Sequence, residues 1–426
     1  MTVREFGHAL SIGAAVAFLA ACGGAQTPVG IPGATTQTSA IARAPSSVHR
    51  ILPASSTYTV LYRFTGHPDG AYPQGALLDV HGTLYGTTVA GGVAECTEDL
   101  GCGTVYTITT AGAEKVLFSF NKSDGAYPYA GLTEVNGTLY GTTTHGGTGD
   151  RCGGNCGTVY SITTTGAENV LFDFAGYPSG AFPYAPLKAV KGTLYGTTQA
   201  GGSRHGPGTV YSITPTGVFK RLLAFKTTDG GYPHAGLIDV NGTLYGTTAR
   251  GGGSCNCGTV YSITTTGTEK VVYEFQGGAN GAYPSTSLIN VNGTLYGTAQ
   301  AGSGSFCCGI VYSVSTSGKF KVLYTFAGGS DGQSPQSALI DVNGTLYGTT
   351  YAGGGSSACT NGCGTVYSVT TAGVETVLHR FAGGSDGAAP EAPLLYLHGM
   401  LYGTTSNGGG SGCRKIHCGT FFALSP

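Results

Sequence analysis

From Thr57 onward, apolar and polar positions alternate in short runs, each ended by Gly, Asn or Asp. A period of two predicts half-buried strands, and the punctuation predicts turns. One run, TLYGTT at Thr138–Thr143, returns almost unchanged. Its leucine recurs at Leu84, Leu139, Leu194, Leu244, Leu295, Leu346 and Leu401, 50 to 55 residues apart. Residues 126–174 parse as one unit. Gly131–Val135 is a short apolar strand A, and Asn136–Gly137 is a hairpin turn whose residues accept positive φ. Thr138–Thr143 is strand B, leading to a loop with Gly146–Gly147 and a cysteine pair. Gly157–Thr163 is strand C, Thr165–Gly166 a second tight turn, and Glu168–Phe174 strand D.

Four short antiparallel strands in about 50 residues make one propeller blade. Seven A–B–C trios are present, and the last ends at Phe421–Leu424 without a D strand. The missing strand stands at the other end, where Tyr58–Phe64 (YTVLYRF) matches Val116–Phe120 (VLFSF). The count balances if the N-terminal strand completes the last blade. The expected fold is therefore all-β: a closed seven-bladed propeller, rather than an open array that would need caps. The A–B and C–D turns are tight and share one face. The longer B–C and D–A loops share the other, where binding groups usually reside.

Composition narrows the function classes. Charged residues are 10% of the 426 and the formal net charge is −1, so no basic field exists for nucleic acid or for an anionic membrane surface. The 76 glycines fall at repeat positions, which sets disorder aside. Ala9–Ala21 has the length of a signal-peptide core and is too short for a bilayer span. It ends in Leu19–Ala20–Ala21–Cys22, which looks like a lipobox whose cysteine would carry lipid. Gly23 in place of Asp favours the outer membrane in a diderm cell. The predicted division is a lipoprotein signal over 1–21, a Gly/Ala/Thr/Ser/Pro-rich tether over 22–56 and the propeller over 57–426.

Of thirteen cysteines, removing Cys22 leaves twelve in six close pairs, each in the same slot of a repeat. They are Cys96 with Cys102, Cys152 with Cys156, Cys255 with Cys257, Cys307 with Cys308, Cys359 with Cys363, and Cys413 with Cys418. Local pairs in an exported chain read as disulfides. Zinc needs four ligands and each blade offers two. The adjacent Cys307 and Cys308 are the exception, either a strained bridge or two free thiols.

The elements V-L-Y-x-F, D-G, N-G-x-L-Y-G-T-T, G-G and G-T-V-Y are carried by Val322–Phe326, Asp331–Gly332, Asn343–Gly344, Leu346–Thr350, Gly353–Gly354 and Gly364–Val369. Together they resemble the bacterial GloVer (Gloeo/Verruco-type) tandem repeat, from about residue 58 to the end. The resemblance implies an anchored surface repeat protein and supplies no catalytic residues. A weaker likeness to kelch repeats stops at the missing Trp.

Candidate chemistry is sparse. The LYGTT tyrosines and the strand C tyrosines read as packing between blades. Tyr72, Tyr127, Phe182, Tyr232 and Tyr283 precede proline in five successive loops of the variable face, where they could meet a glycan or a protein. Asp69, Asp124, Asp229, Asp331 and Asp386 read as turn formers, because one carboxylate per loop is too few for calcium. No nucleophile elbow, P-loop, HExxH or dinucleotide fingerprint occurs, so no catalytic residue, metal ligand or cofactor is expected. The expected function is a monomeric, lipid-anchored binding or scaffold module at the cell envelope, its membrane contact confined to the N-terminal lipid. The alternatives are a polysaccharide-acting lyase or glycosidase, which would need acidic, His or Tyr groups converging over the central channel on the loop face, and a purely structural envelope protein.

Overall fold

Each TLYGTT run folds as the second strand of a four-stranded antiparallel sheet, and seven such sheets are present. The computed structural model describes residues 57–93, 96, 101–149, 152–153, 155–302, 308–409 and 418–426. Residues 1–56, with Cys22, lie outside the described residues, as do Cys307 and Cys413. In blade 1 the strands run A to D as Leu78–Val80, Thr83–Thr88, Thr104–Ile108 and Glu114–Ser119. Strand A is one edge of each sheet, and A strands of neighbouring blades touch, so they form the inner wall. They are three residues long, shorter than the five read from sequence. In blade 2 the difference arises because Gly131 is spent on docking, its Cα pressed against the Ala76 backbone of blade 1.

Blade 7 closes as the strand count required. Leu395–Leu397, Met400–Thr405 and Thr420–Leu424 supply strands A to C, and Tyr58–Arg63 supplies strand D. Tyr58 pairs with Leu424 and Arg63 with Thr420. The chain is a closed seven-bladed propeller. No α-helix occurs among the described residues.

The apolar core is divided into seven wedges between blades. Tyr85 of blade 1 packs with Leu139 and Tyr160 of blade 2, and Tyr402 of blade 7 packs with Leu84 and Tyr106 of blade 1. Strand B glycines exist for this packing. A Cβ on Gly86 would overlap the Tyr106 ring, which lies across it from strand C. At the end of each D strand a buried Phe meets the next blade edge to face. Phe64–Tyr106 is 5.2 Å, Phe120–Tyr160 is 5.0 Å and Phe381–Phe422 is 5.5 Å between centroids. Such a pair is worth about 1 kcal/mol beyond the area it buries.

The blades are also hydrogen-bonded to one another at the residue before each D–A proline. Tyr127 N–H donates to Cys102 O of the preceding blade (2.9 Å), and Tyr127 O accepts from Thr144 N (3.1 Å). The ring closes the same way, with Tyr72 N–H donating to Cys418 O at 2.9 Å. All seven residues at this position hold φ between 54° and 60°, including Ser334 and Ala389. That region is unfavourable for a residue before proline, and it persists because both backbone groups are engaged. The proline then packs on the strand C glycine of the preceding blade. A Cβ on Gly103 would overlap Pro128, and one on Gly419 would overlap Pro73.

Candidate functional site

The prediction of exposed loop aromatics meets a varied outcome. Tyr127 is buried, Tyr72, Phe182 and Tyr283 are half-buried, and Tyr232 is exposed. Each has its backbone committed to joining blades, as described above. Arg250 lies 5.5 Å from the Tyr283 ring centroid. His145 sits between the rings of Tyr127 and Phe182 at 5.4 and 5.2 Å, where burial lowers its pKa to about 4.

Two residues further along the same loops, a second set is brought together. Gln74, Tyr129, Tyr184, His234, Ser285, Gln336 and Glu391 each follow the proline of their blade. Every one is half-buried, and in every case the residue on either side is buried. This gives one partly exposed side chain per blade, always at the same register. The backbone beneath is fixed by the strand B threonine of the preceding blade: Thr87 Oγ1 donates to Ala130 O at 2.9 Å, and Thr404 Oγ1 to Pro73 O at 2.9 Å.

Contacts along this set run around the ring. Gln74 Nε2 donates to Glu391 Oε1 at 3.2 Å, and Ser406 Oγ donates to the same oxygen at 2.9 Å. The Tyr129 and Tyr184 ring centroids are 5.0 Å apart, and those of Tyr184 and His234 are 5.2 Å apart. Gln199 Nε2 lies 3.0 Å from His234 Nε2, and Gln300 Nε2 donates to Ser285 Oγ at 2.6 Å. Tyr129 of blade 2 is held up in pKa first by burial, then by Tyr184 and by Glu391 of blade 7. Groups on blades 2 and 7 feel one another because both converge on the axis. We call this set the axial rosette.

Its electrostatics are muted. Burial pushes the Glu391 carboxyl up to about 7, against the opposing hydrogen bond from Ser406. Burial pushes the His234 imidazole down to about 4, so it is neutral and its Nε2 accepts from the Gln199 amide. Tyr351, in the tier behind the rosette, is raised by burial and then by Glu391. Recurrence does not mark these residues. The signal that finds them is the reverse: within a repeated Pro-x-(Ala/Gly/Ser/Thr) context, the position after proline takes five residue types in seven blades.

A cavity of about 540 Å³ lies elsewhere, lined by the inner strands of blades 1 to 3 with Asp79, His81, Glu134 and Lys188. Its carboxylates are tied into the tight turns: Asp79 Oδ1 accepts from Gly82 N at 2.9 Å, and Glu134 Oε1 accepts from Gly137 N. The Asp-Gly loops behave as turns as well. Asp69 Oδ2 accepts from Thr65 N at 2.9 Å, and Asp331 Oδ2 from Ala327 N at 2.6 Å.

The cysteine slots hold disulfides. Cys96–Cys102, Cys152–Cys156, Cys255–Cys257 and Cys359–Cys363 are bonded, with Cα separations of 5.0 to 5.5 Å. Cys308 and Cys418 are disulfide-bonded too. Among the described residues no cluster of His, Cys, Asp or Glu suited to a metal is found. Local disulfides place the protein in an oxidising, extracytoplasmic compartment. No helix among the described residues is long and apolar enough to cross a membrane.

The fold and the site define an extracytoplasmic, disulfide-bonded seven-bladed propeller with a rosette of mixed side chains on its axis. The chain belongs to the Gloeobacter/Verrucomicrobia repeat family, whose model matches residues 34–177 and 151–360. No curated protein matches it in sequence. Among solved structures it is similar to a puromycin hydrolase mutant at 11% identity and TM-score 0.47, covering 83% of this chain and 52% of that one. It is also similar to an aldose sugar dehydrogenase from Streptomyces coelicolor, at 13% identity and TM-score 0.40, covering 88% and 99%. A third likeness is to the Trypanosoma rangeli sialidase, at 11% and 0.41, covering 88% and 60%. At such identities and scores the likeness carries neither substrate nor mechanism.

Proposed function

We propose that this protein is a lipid-anchored binding module of the cell envelope, and that the axial rosette is its ligand site. In this reading residues 1–21 are the export signal, Cys22 carries the lipid, residues 22–56 are the tether, and the propeller acts as a monomer. The observation that supports a binding role is the rosette itself. Seven half-buried positions at one register carry five residue types while the framework around them repeats. A purely structural ring has no need for that variation.

The rosette is tested by equilibrium binding to small polar ligands and oligosaccharides, followed by intrinsic tyrosine fluorescence, since the chain has no Trp. Gln336→Ala and Tyr351→Ala weaken whatever ligand is found. A ligand that binds these variants as tightly as the parent would place the site elsewhere. Loss of palmitate labelling in Cys22→Ala tests the anchor.

A catalytic reading has one observation in its favour: Glu391 is a carboxyl held near neutrality beside Tyr129. Glycoside hydrolysis ordinarily uses two carboxyl groups flanking the bond, and the rosette has one. Binding is therefore the better reading, and product release from a polysaccharide panel would displace it.

A further inference from the structure

We infer that the ligand of the rosette is an uncharged sugar ring of a glycan, stacked on Tyr129 and Tyr184 and hydrogen-bonded at its edges by Gln74 and Glu391 on one side and Gln199 and His234 on the other. This rests on the rosette being the binding site.

The first support is charge. The seven rosette positions and the tier behind them (Val89, Thr144, Gln199, Ala249, Gln300, Tyr351 and Ser406) contain no Lys or Arg. A phosphate, sulfate or uronate would be drawn in without a counter-charge, which a half-buried site does not tolerate cheaply. The one carboxyl, raised by burial to about 7, carries only part of a charge near neutral pH and the one imidazole is neutral, so a cation finds at most a partial negative partner.

The second support is the pairing of polar groups. Glu391 with Gln74, His234 with Gln199, and Ser285 with Gln300 are set in contact before any ligand arrives. Each pair keeps unused donors and acceptors: the second amide hydrogen and the oxygen of each Gln, and the remaining carboxyl oxygen of Glu391. Adjacent hydroxyls of a sugar present a donor and an acceptor side by side and match such a pair. An aliphatic or aromatic ligand would leave these groups buried and unpaired, which selects strongly against it.

The third support is aromatic. The Tyr129 and Tyr184 rings lie next to each other with their planes tilted by 51°, a shallow aromatic corner, and both are half-buried, so each keeps an open portion. The C–H face of a sugar ring is the apolar surface that complements such rings, while its hydroxyls point outward toward the paired side chains.

The test titrates the full chain with three sets of probes: neutral gluco-, manno-, galacto- and xylo-oligosaccharides; oligouronates; and short peptides. Tyr129→Ala, Tyr184→Ala and Tyr184→Phe are run alongside, and thermal melts confirm folding. The expected result is binding of at least one neutral oligosaccharide. Each alanine variant should weaken it about tenfold or more, and Tyr184→Phe by less than about threefold. Uronate or peptide binding that Tyr184→Ala abolishes would overturn the sugar assignment and leave the rosette as the site. Binding of any probe unaffected by both alanine variants would overturn the site and the assignment together. No binding of any neutral oligosaccharide at millimolar concentration would overturn the assignment.

Discussion

The residue before each D–A proline and the residue after it stand two positions apart in one loop and do opposite work. Before the proline, Tyr72, Tyr127, Phe182, Tyr232, Tyr283, Ser334 and Ala389 share one unusual backbone conformation and one pair of backbone hydrogen bonds, the N–H donating to the preceding blade and the C=O accepting within its own. The side chain there can shrink to Ala because the backbone carries the joint. After the proline, the seven side chains are of five types: Gln, Tyr, His, Ser and Glu. In a repeat protein, sameness marks what holds the ring, and difference at a fixed place marks what the ring is for.

The contrast can be broken at the joint. Deleting residues 57–64 removes strand D of blade 7 and the Phe64–Tyr106 contact, which uncovers the strand at Thr420–Leu424. The expected outcome is loss of the cooperative thermal transition and rapid proteolysis. A deletion variant that melts within a few degrees of the parent would argue against a closed ring. Gly258→Ala is the next largest. Gly258 holds φ of 97°, and a Cβ there would overlap Thr248 O and Pro284 of the next blade. The expected cost is about 3 kcal/mol, read from the denaturant midpoint.

The same contrast is sharpened at the rosette. Gln336→Ala should change stability by about 0.5 kcal/mol or less, because the side chain is half-buried and no backbone joint depends on it. Its effect should appear in ligand affinity alone. A large loss of stability there would make the rosette part of the framework.

The smallest effect is on pH. Burial, then a neighbouring aspartate, raises Glu114, Glu168 and Glu269 to about 7 and Glu375 to about 8. The neighbours are Asp69, Asp124, Asp229 and Asp331 in turn. Tyr62 also faces Glu114, and Arg380 and Tyr324 face Glu375. A carboxyl with a raised native pKa binds more protons folded than unfolded, so its contribution is lost as pH rises from about 4.5 through the native value. His145 and His234, lowered to about 4, act in the opposite direction, but only up to about 6.5. From pH 6.5 to 8 the carboxyls act unopposed, and the melting temperature should fall gently. Glu375→Gln should flatten that fall. A melting temperature that rose over this interval would contradict the assigned directions.

The ring was legible because its evidence is recurrence. Seven leucines at near-equal spacing and one strand out of phase define closure without any coordinate. Strand A was read too long because Gly131 looks like the start of an apolar run, and its docking against Ala76 belongs to another blade. The rosette is not legible in the sequence, where Tyr72 and its equivalents are the aromatic positions that repeat. Gln74, Ser285 and Glu391 share no chemistry, and only the fold shows that they share an address. The raised carboxyls were equally hidden, since Glu114 and Asp69 lie 45 residues apart in sequence and meet only when one blade packs on the next.

One consequence of the shared last blade concerns timing. Its outer strand, Tyr58–Arg63, is synthesised first among the described residues, and the strand it needs, Thr420–Leu424, is nearly the last. Until that late segment appears, the early one has no partner to pair with. Six blades can assemble in passing, but the circle can be sealed only after Thr420–Leu424 has emerged. The sealed state therefore reports that synthesis has passed the seventh repeat: a copy stopped before it keeps a loose edge that proteases can find.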